Sequence, residues 1–299
     1  MLPTRWWPRV VELDAAWRAA NPLPQPEGEA TKNTRGRVLC VGGARRVPGA
    51  LRLTAEASLR VGAGKARMVT VPSVALMLGA LFPETAVIAV GEDEAGEIAL
   101  EPATPLFRAV DHTDALVIGP GMIDRQAAGR VVARVAAEPR EEVTLLLDAA
   151  ACAAAGALAD ELRGYAGRLV LTPHGGEMAE LADCDAAEIS ADPEGKALDV
   201  ARRYGAAVAL KGARTLVAAP DGRLVRYAGG GIGLATGGSG DVLAGVIGGL
   251  LARGLPPFEA TCWGVWLHGE AGRALAASVG PVGFLAGELL PALPKLLPR

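Results

Sequence analysis

Short apolar runs alternate along the chain with longer stretches whose apolar positions recur every three or four residues. Residues 37–41 form the first such run, a strand ended by Gly42 and Gly43. Residues 50–61 follow with Leu53, Ala57 and Val61 at helical spacing, closed by Gly62 and Gly64. The same rhythm predicts strands over 66–71, 86–90, 115–118, 143–147, 168–171 and 207–210. Helices are predicted over 74–81, 125–137 and 194–204, with an Ala-rich helix after Asp148. Residues 215–219 and 224–227 flank Pro220-Asp-Gly222 and read as a hairpin, and two further helices are predicted over 258–276 and 284–296.

Strands alternating with helices imply an α/β fold: a doubly wound, mainly parallel sheet with helices on both faces, in one domain over residues 36–299. Residues 1–35 are rich in Pro, Trp and charge and read as an N-terminal arm. A short helix is expected there over 10–20, then an extended lead-in, with Trp6, Trp7 and Trp17 available to pack on the body or on a neighbouring subunit. In doubly wound sheets ligands bind beyond the carboxyl ends of the strands. Here those ends carry Gly42-Gly43, Gly119-Pro-Gly121, Asp148, Thr172-Pro-His174 and Lys211-Gly212.

Composition narrows the class. Of the 299 residues 51% are apolar, enough for a large core, and a net charge of −3 provides no polycationic face for nucleic acid or an anionic membrane. Cys40, Cys152, Cys184 and Cys262 form no C-x-x-C pair and read as reduced thiols. No signal-peptide pattern opens the chain, and its apolar runs fall short of the ~20 residues a membrane span needs. A soluble, cytoplasmic protein is expected.

The chemistry concentrates in residues 234–241, Leu-Ala-Thr-Gly-Gly-Ser-Gly-Asp, which run into an apolar helix over 242–252. The small side chains of Gly237, Gly238, Ser239 and Gly240 leave backbone N–H groups open to a ligand, at a helix N-terminus that favours anions. An ordinary turn with Ser239 as N-cap and Asp241 as a favourable first-turn charge explains two of these residues. It does not explain Gly245, Gly248 and Gly249, which each cost about 1 kcal/mol against Ala inside a helix. With Ala244 and Ala252 they form a small-residue stripe suited to close backbone approach. A carboxylate beside a phosphate needs a reason, and Asp241 as a general base that takes a hydroxyl proton supplies one.

Thr172-Pro-His-Gly-Gly-Glu177 reads equally as a capped turn and as a site, and lacks the partners for zinc. Lys211 at a strand end could reach phosphates, against the commoner fate of a solvated lysine. Gly62-Ala-Gly-Lys65 lacks the remaining residues of a Walker A loop, and residues 229–233 do not complete G-x-G-x-x-G. His112 and His268 have no constellation around them and read as structural.

Taken in order, Val41-Gly-Gly43 with Pro48-Gly-Ala50, Arg60-Val-Gly-Ala-Gly64, Pro83-Glu84, Ile118-Gly-Pro-Gly121, Leu147-Asp-Ala149, Leu171-Thr-Pro-His-Gly-Gly-Glu177, Leu210-Lys-Gly-Ala-Arg-Thr215 and residues 235–245 carry a resemblance. The chain resembles the ADP/ATP-dependent (S)-NAD(P)H-hydrate dehydratases of the ribokinase superfamily over residues 31–295. The resemblance implies a repair lyase that dehydrates NADHX or NADPHX, using ADP in preference to ATP and releasing AMP and phosphate. It implies Asp241 as the base, and Ala50, Gly121, His174 and Asp241 as contacts to the hydrate. Lys211, Gly212, Ala213, Arg214 and Thr215, with the 237–240 loop, would hold the nucleotide, and Glu177 would order Mg²⁺ through water. It also implies a homo-tetramer and cooperation with a separate epimerase.

Three positions depart from the family pattern: Gly175 stands in place of Pro, Arg45-Arg-Val47 in place of a Ser-containing, Tyr-ended turn, and Ala150 in place of Asp. The competing readings are a small-metabolite kinase of the same superfamily and a nucleotide-binding protein without turnover.

Overall fold

The computed structural model describes residues 10–25, 28–100 and 104–298. Its strands are β1 (Val11–Glu12), β2 (Arg37–Val41), β3 (Lys65–Thr70), β4 (Ala86–Ala89), β5 (Ala115–Ile118), β6 (Thr144–Leu147), β7 (Leu169–Leu171), β8 (Ala206–Leu210), β9 (Thr215–Ala218) and β10 (Leu224–Tyr227). They form one sheet in the order β1-β10-β9-β8-β7-β6-β5-β2-β3-β4. Every pair from β8 across to β4 is parallel, while β9 runs antiparallel to both β8 and β10. The predicted hairpin is this β9–β10 pair. All residues of β5, β7 and β8 are buried, as expected where both faces of a parallel sheet are covered.

The helices are α1 (Ala15–Ala20), α2 (Pro48–Arg60), α3 (Pro72–Leu81), α4 (Leu106–Val110), α5 (Arg125–Ala136), α6 (Ala149–Ala154), α7 (Gly175–Ala182), α8 (Ala186–Ala191), α9 (Pro193–Tyr204), α10 (Ser239–Ala252), α11 (Pro257–Ser278), α12 (Ala286–Leu289) and α13 (Leu293–Leu296). Helices α2, α10 and α11 pack as one group on the sheet, and α5, α6, α7 and α9 as another. Among the described residues no helix is long and apolar enough to cross a membrane.

The small-residue stripe sets the depth of α10. A Cβ added at Gly245 would stand 2.2 Å from the Thr54 carbonyl oxygen of α2, and one at Gly249 would stand 2.6 Å from that of Ser58. On the sheet side a Cβ at Gly248 would meet Val117 Cγ2 at 2.5 Å. Three glycines thus let one helix lie against a neighbouring helix and the sheet at once, which fixes where its N-terminus emerges.

Two expectations change. Residues 10–20 are not one helix: Val11 and Glu12 add a parallel strand to β10, and Asp14 caps α1 by accepting the Trp17 N–H at 2.9 Å. Here the part of the arm over residues 10–25 packs on the body. Trp17 meets Trp263 edge-on at 6.5 Å, Arg18 lies 4.0 Å over the Trp266 ring, and Trp263 Nε1 donates to the Asn21 carbonyl at 2.8 Å. Trp6 and Trp7 lie outside the described residues. The single C-terminal helix expected over 284–296 is instead the pair α12 and α13, because Pro291 and Pro294 lack the N–H groups a continuous helix needs.

Candidate active site at the carboxyl ends of the parallel strands

Past the last residue of each central strand the parallel ladder gains one more rung. Gly42 N donates to Val69 O at 3.0 Å, Gly119 N to Val41 O at 3.1 Å, and Asp148 N to Ile118 O at 3.0 Å. Thr172 N donates to Leu147 O at 3.2 Å, and Lys211 N to Pro173 O at 2.8 Å. Five chain segments therefore leave the sheet side by side. Gly121 has φ +72°, and a Cβ on it would lie 2.4 Å from Val47 O and 3.1 Å from Ala50 Cβ. Ala50 and Gly121, far apart in sequence, are thus neighbours, joined further by the Ala44 N–H, which donates to the Gly121 carbonyl at 3.0 Å.

Beside them lies a charged cluster. Asp148, only 2% exposed, accepts from Lys211 Nζ at 2.8 Å and from Thr172 Oγ1 at 2.7 Å through the same Oδ1. Glu177 Oε2 is 3.8 Å from the same ammonium. Burial works to strip the Lys211 proton, but the two carboxylates outweigh it and hold the lysine charged. Burial raises the Glu177 carboxyl above its usual range, opposed by Lys211. Lys211 is therefore no solvated surface residue. Asp148 was legible only as a polar strand end, and its role as the lysine's partner was missed.

His174 and Glu177 form a capping box on α7. His174 Nδ1 accepts the N–H groups of Gly176 at 3.0 Å and Glu177 at 3.3 Å, while Glu177 Oε2 accepts the His174 N–H at 2.8 Å. Nδ1 is an acceptor here, so the ring proton is on Nε2, 3.3 Å from Glu177 Oε1. The His174 side chain is 61% exposed, and a ligand can reach it. Gly175 lies within the first turn of this helix, and nothing in the structure explains the departure from Pro there.

On the other side stands the N-terminal turn of α10. Its N-cap is Gly238, at φ +88°, and Ser239 is the first helical residue instead of the cap. A Cβ on Gly240 would be 3.8 Å from Lys211 Nζ, so loop and lysine adjoin. Thr54 Oγ1 donates to the Asp241 carbonyl at 3.0 Å, tying this turn to α2. Burial first, and then the negative charge of Asp148, raise the Asp241 carboxyl to about 7, against the pull of Lys211. Ser239 Oγ lies 3.0 Å from His268 Nε2, which corrects the expectation that His268 stands apart from any functional group. Gly212, Ala213 and Arg214 form an exposed bend after Lys211, closed by Thr215 Oγ1 donating to the Gly212 carbonyl at 3.3 Å. Gly237 is exposed, with nothing within 4 Å of an added Cβ. Among the described residues no cluster of three or more His, Cys, Asp or Glu side chains converges as a metal site.

The Ser239 N–H is spent on the Thr236 carbonyl at 3.2 Å, so the arrangement combines the N–H groups of Gly237, Gly238 and Gly240 with a fixed ammonium and a carboxylate with near-neutral proton affinity. It suits transfer of a phosphoryl group to a hydroxyl. Known proteins are similar to this chain in sequence and in fold. The NAD(P)H-hydrate dehydratase family model matches residues 38–295. The ADP-dependent (S)-NAD(P)H-hydrate dehydratase of Xanthomonas campestris is 46% identical over 98% of both chains. A bifunctional NAD(P)H-hydrate repair enzyme of Moorella thermoacetica is 39% identical over 95% of this chain, which spans 53% of that longer protein. Among solved structures, the ADP/ATP-dependent NAD(P)H-hydrate dehydratase of Bacillus subtilis, co-crystallised with ATP and Mg²⁺, matches with TM-score 0.77 and 26% identity. The match covers 96% of this chain and 97% of that one. A ribokinase-like protein of Enterococcus faecalis matches with TM-score 0.79 at 28% identity, over 92% and 91% of the two chains. On sequence and fold together, the chain belongs to the NAD(P)H-hydrate dehydratase family.

Proposed function

We propose that this chain dehydrates the S form of hydrated NADH or NADPH at the expense of ADP, with ATP as the other nucleotide to be compared. The observation that carries the chemistry is Asp241: a carboxylate with near-neutral proton affinity, in the first turn of α10, beside Lys211. That is the proton affinity a general base needs at physiological pH.

The steps follow from the residues. The nucleotide's phosphates lie on the N–H groups of Gly237, Gly238 and Gly240, with Lys211 holding positive charge beside them. The nucleoside end lies against the 212–215 bend. The hydrated ring lies near Ala50, Gly121 and His174, whose Nε2–H is available as a donor. Asp241 removes the proton from the C6 hydroxyl as its oxygen attacks the terminal phosphorus of ADP, and the bond to AMP breaks. Phosphate, a far better leaving group than hydroxide, then departs from C6 as the ring nitrogen supplies electrons. Loss of the C5 proton to the departing phosphate or to water restores the dihydronicotinamide. Atoms balance as hydrate plus ADP giving the reduced cofactor, AMP and phosphate.

Mg²⁺ suits the all-oxygen donors at hand, Glu177 and the nucleotide phosphates, with water completing its shell. When bound it would neutralise phosphate charge; Glu177 is the residue to order it through water. We also read the chain as a homo-oligomer. Support comes from Leu76, Met77 and Leu81, which expose apolar surface on α3 beside the edge strand β4. The longer relatives are bifunctional, and we read their second activity as the epimerase with which this chain would cooperate in the cytoplasm.

The test is an assay of the purified chain with the S hydrate of NADH, Mg²⁺ and either ADP or ATP. Nucleotide-dependent return of dihydronicotinamide absorbance is expected. Phosphorylation of another alcohol without that return would move the assignment to a metabolite kinase.

A further inference from the structure

Residues 91–99 form a tight hairpin that the proposed chemistry leaves unused. Glu92 bridges Ile98 antiparallel, Ala99 N donates to Gly91 O at 2.9 Å, and Asp93 N donates to Glu97 O at 3.0 Å. Ile98 is buried in the core and anchors the hairpin. On one side Arg45 N donates to the Gly96 carbonyl at 2.9 Å, and Arg45 Nε donates to Glu92 Oε1 at 2.7 Å. Arg45 belongs to the turn over residues 45–47 that departs from the family pattern, and here it fastens that turn to the hairpin. On the other side Glu97 Oε1 accepts two backbone N–H groups, those of Ile123 and Asp124, each at 3.1 Å. Glu97 is 4% exposed, and its Oε2 is buried with no partner among the described residues. An unmet buried acceptor is costly, so stability alone does not account for this glutamate.

The two segments that the hairpin holds also meet each other. Ala44 N donates to Gly121 O at 3.0 Å and Gly43 N to Pro120 O at 2.8 Å. Val47 O stands over Gly121, where an added Cβ would be 2.4 Å from it. Hairpin, residues 42–50 and residues 119–124 are therefore joined pairwise into a closed triangle. Its far corner is fixed by Asp124, which caps α5 by accepting the Ala127 N–H at 2.7 Å. Among the described residues no hydrogen bond or ion pair of the hairpin reaches residues 211–215 or 237–241.

We propose that Glu97 is a positioning residue for the hydrate: through Ile123 and Asp124 it holds the Gly121 turn against Ala50, and so sets the affinity for the hydrate while leaving the nucleotide side alone. The inference rests on the reading of Ala50 and Gly121 as hydrate contacts. Without the carboxyl, two N–H groups lose their acceptor, and the turn gains freedom that the hydrate must remove on binding. That cost falls on ground state and transition state alike, so it raises KM and spares kcat.

Steady-state assays with the S hydrate of NADH, ADP and Mg²⁺, alongside calorimetry with ADP alone, test this. Glu97→Ala should raise KM for the hydrate about tenfold, with kcat within about threefold and ADP affinity within about twofold. Glu97→Gln keeps an acceptor oxygen for both N–H groups, and its hydrate KM should stay within about twofold of the unaltered chain. Arg45→Ala loosens the hairpin from the opposite side, at an exposed position, and should raise the same KM about three- to fivefold. It carries the test if Glu97→Ala does not fold.

A folded Glu97→Ala chain with its hydrate KM unchanged overturns the inference, even if it melts lower, since the carboxyl then serves stability only. Equal losses of hydrate and ADP affinity overturn it too, because they report a general loosening of the domain. So does a Glu97→Gln chain as impaired as Glu97→Ala, and so does an Arg45→Ala chain of unaltered hydrate KM. If the unaltered chain returns no dihydronicotinamide with ADP or ATP, the proposed function falls and takes the role of Glu97 with it, a result distinct from any of these.

Discussion

Asp241 is under two opposed demands. To accept a proton it must be charged, yet its half-buried position and the nearby Asp148 disfavour charge. With the carboxyl raised to about 7, kcat/KM should rise with pH through about 7 and level off above it. A pH profile flat from 5 to 9 would contradict the base assignment. Stability should run the other way. Between the ordinary carboxylate range and pH 7 the folded chain keeps a proton that the unfolded chain has lost, so this group's contribution falls as pH rises through that window. Asp241→Asn removes the penalty, and should therefore melt above the unaltered chain at pH 8 but not at pH 4, as calorimetry at the two pH values would show. At this scale the sequence marks Asp241 as a candidate base and does not reveal its setting. Lys211 and Asp148 pair across strands 63 residues apart, and Ser239 meets His268 across two helices. Neither partnership follows from local pattern, because both depend on strand order and helix crossing.

Among the elements, α10 joins fold to chemistry. Gly245 stands against the Thr54 backbone, the same residue whose hydroxyl holds the Asp241 carbonyl. Gly245→Ala should gain helix propensity but force α2 away, for a net loss of about 1–3 kcal/mol and reduced turnover. Gly129→Ala on α5 is the contrast. Its added Cβ would sit 3.5 Å from Ala154 Cβ, an ordinary contact, so thermal denaturation should show a gain of about 0.5–1 kcal/mol. The glycine stripe was legible because glycines inside an apolar helix break the local preference and demand a packing reason. The strand within the arm was not, since β1 is two residues of edge strand whose pairing partner lies more than 200 residues away. At the C-terminus the break between α12 and α13 was available from Pro291 and Pro294, and the apolar periodicity masked it.

Across the whole molecule, the alternating pattern predicted the parallel sheet, and the sheet's order brings five strand ends and the α10 turn to one level. It is there that the proposed function brings the two ligands together. The proposed association of copies would use α3, where Leu76 is 88% exposed. Leu76→Glu should lower the sedimenting mass of the native chain if that face joins subunits, and an unchanged mass would remove α3 from the interface. The proposed function turns on Asp241 acting at the meeting point of nucleotide and hydrate. Its most direct test measures dihydronicotinamide return from the S hydrate with ADP and Mg²⁺, for the unaltered chain and for Asp241→Asn, alongside nucleotide affinity. Turnover is expected to fall about 10²–10⁴-fold with nucleotide affinity kept within a few-fold. Turnover within tenfold of the unaltered chain would contradict it.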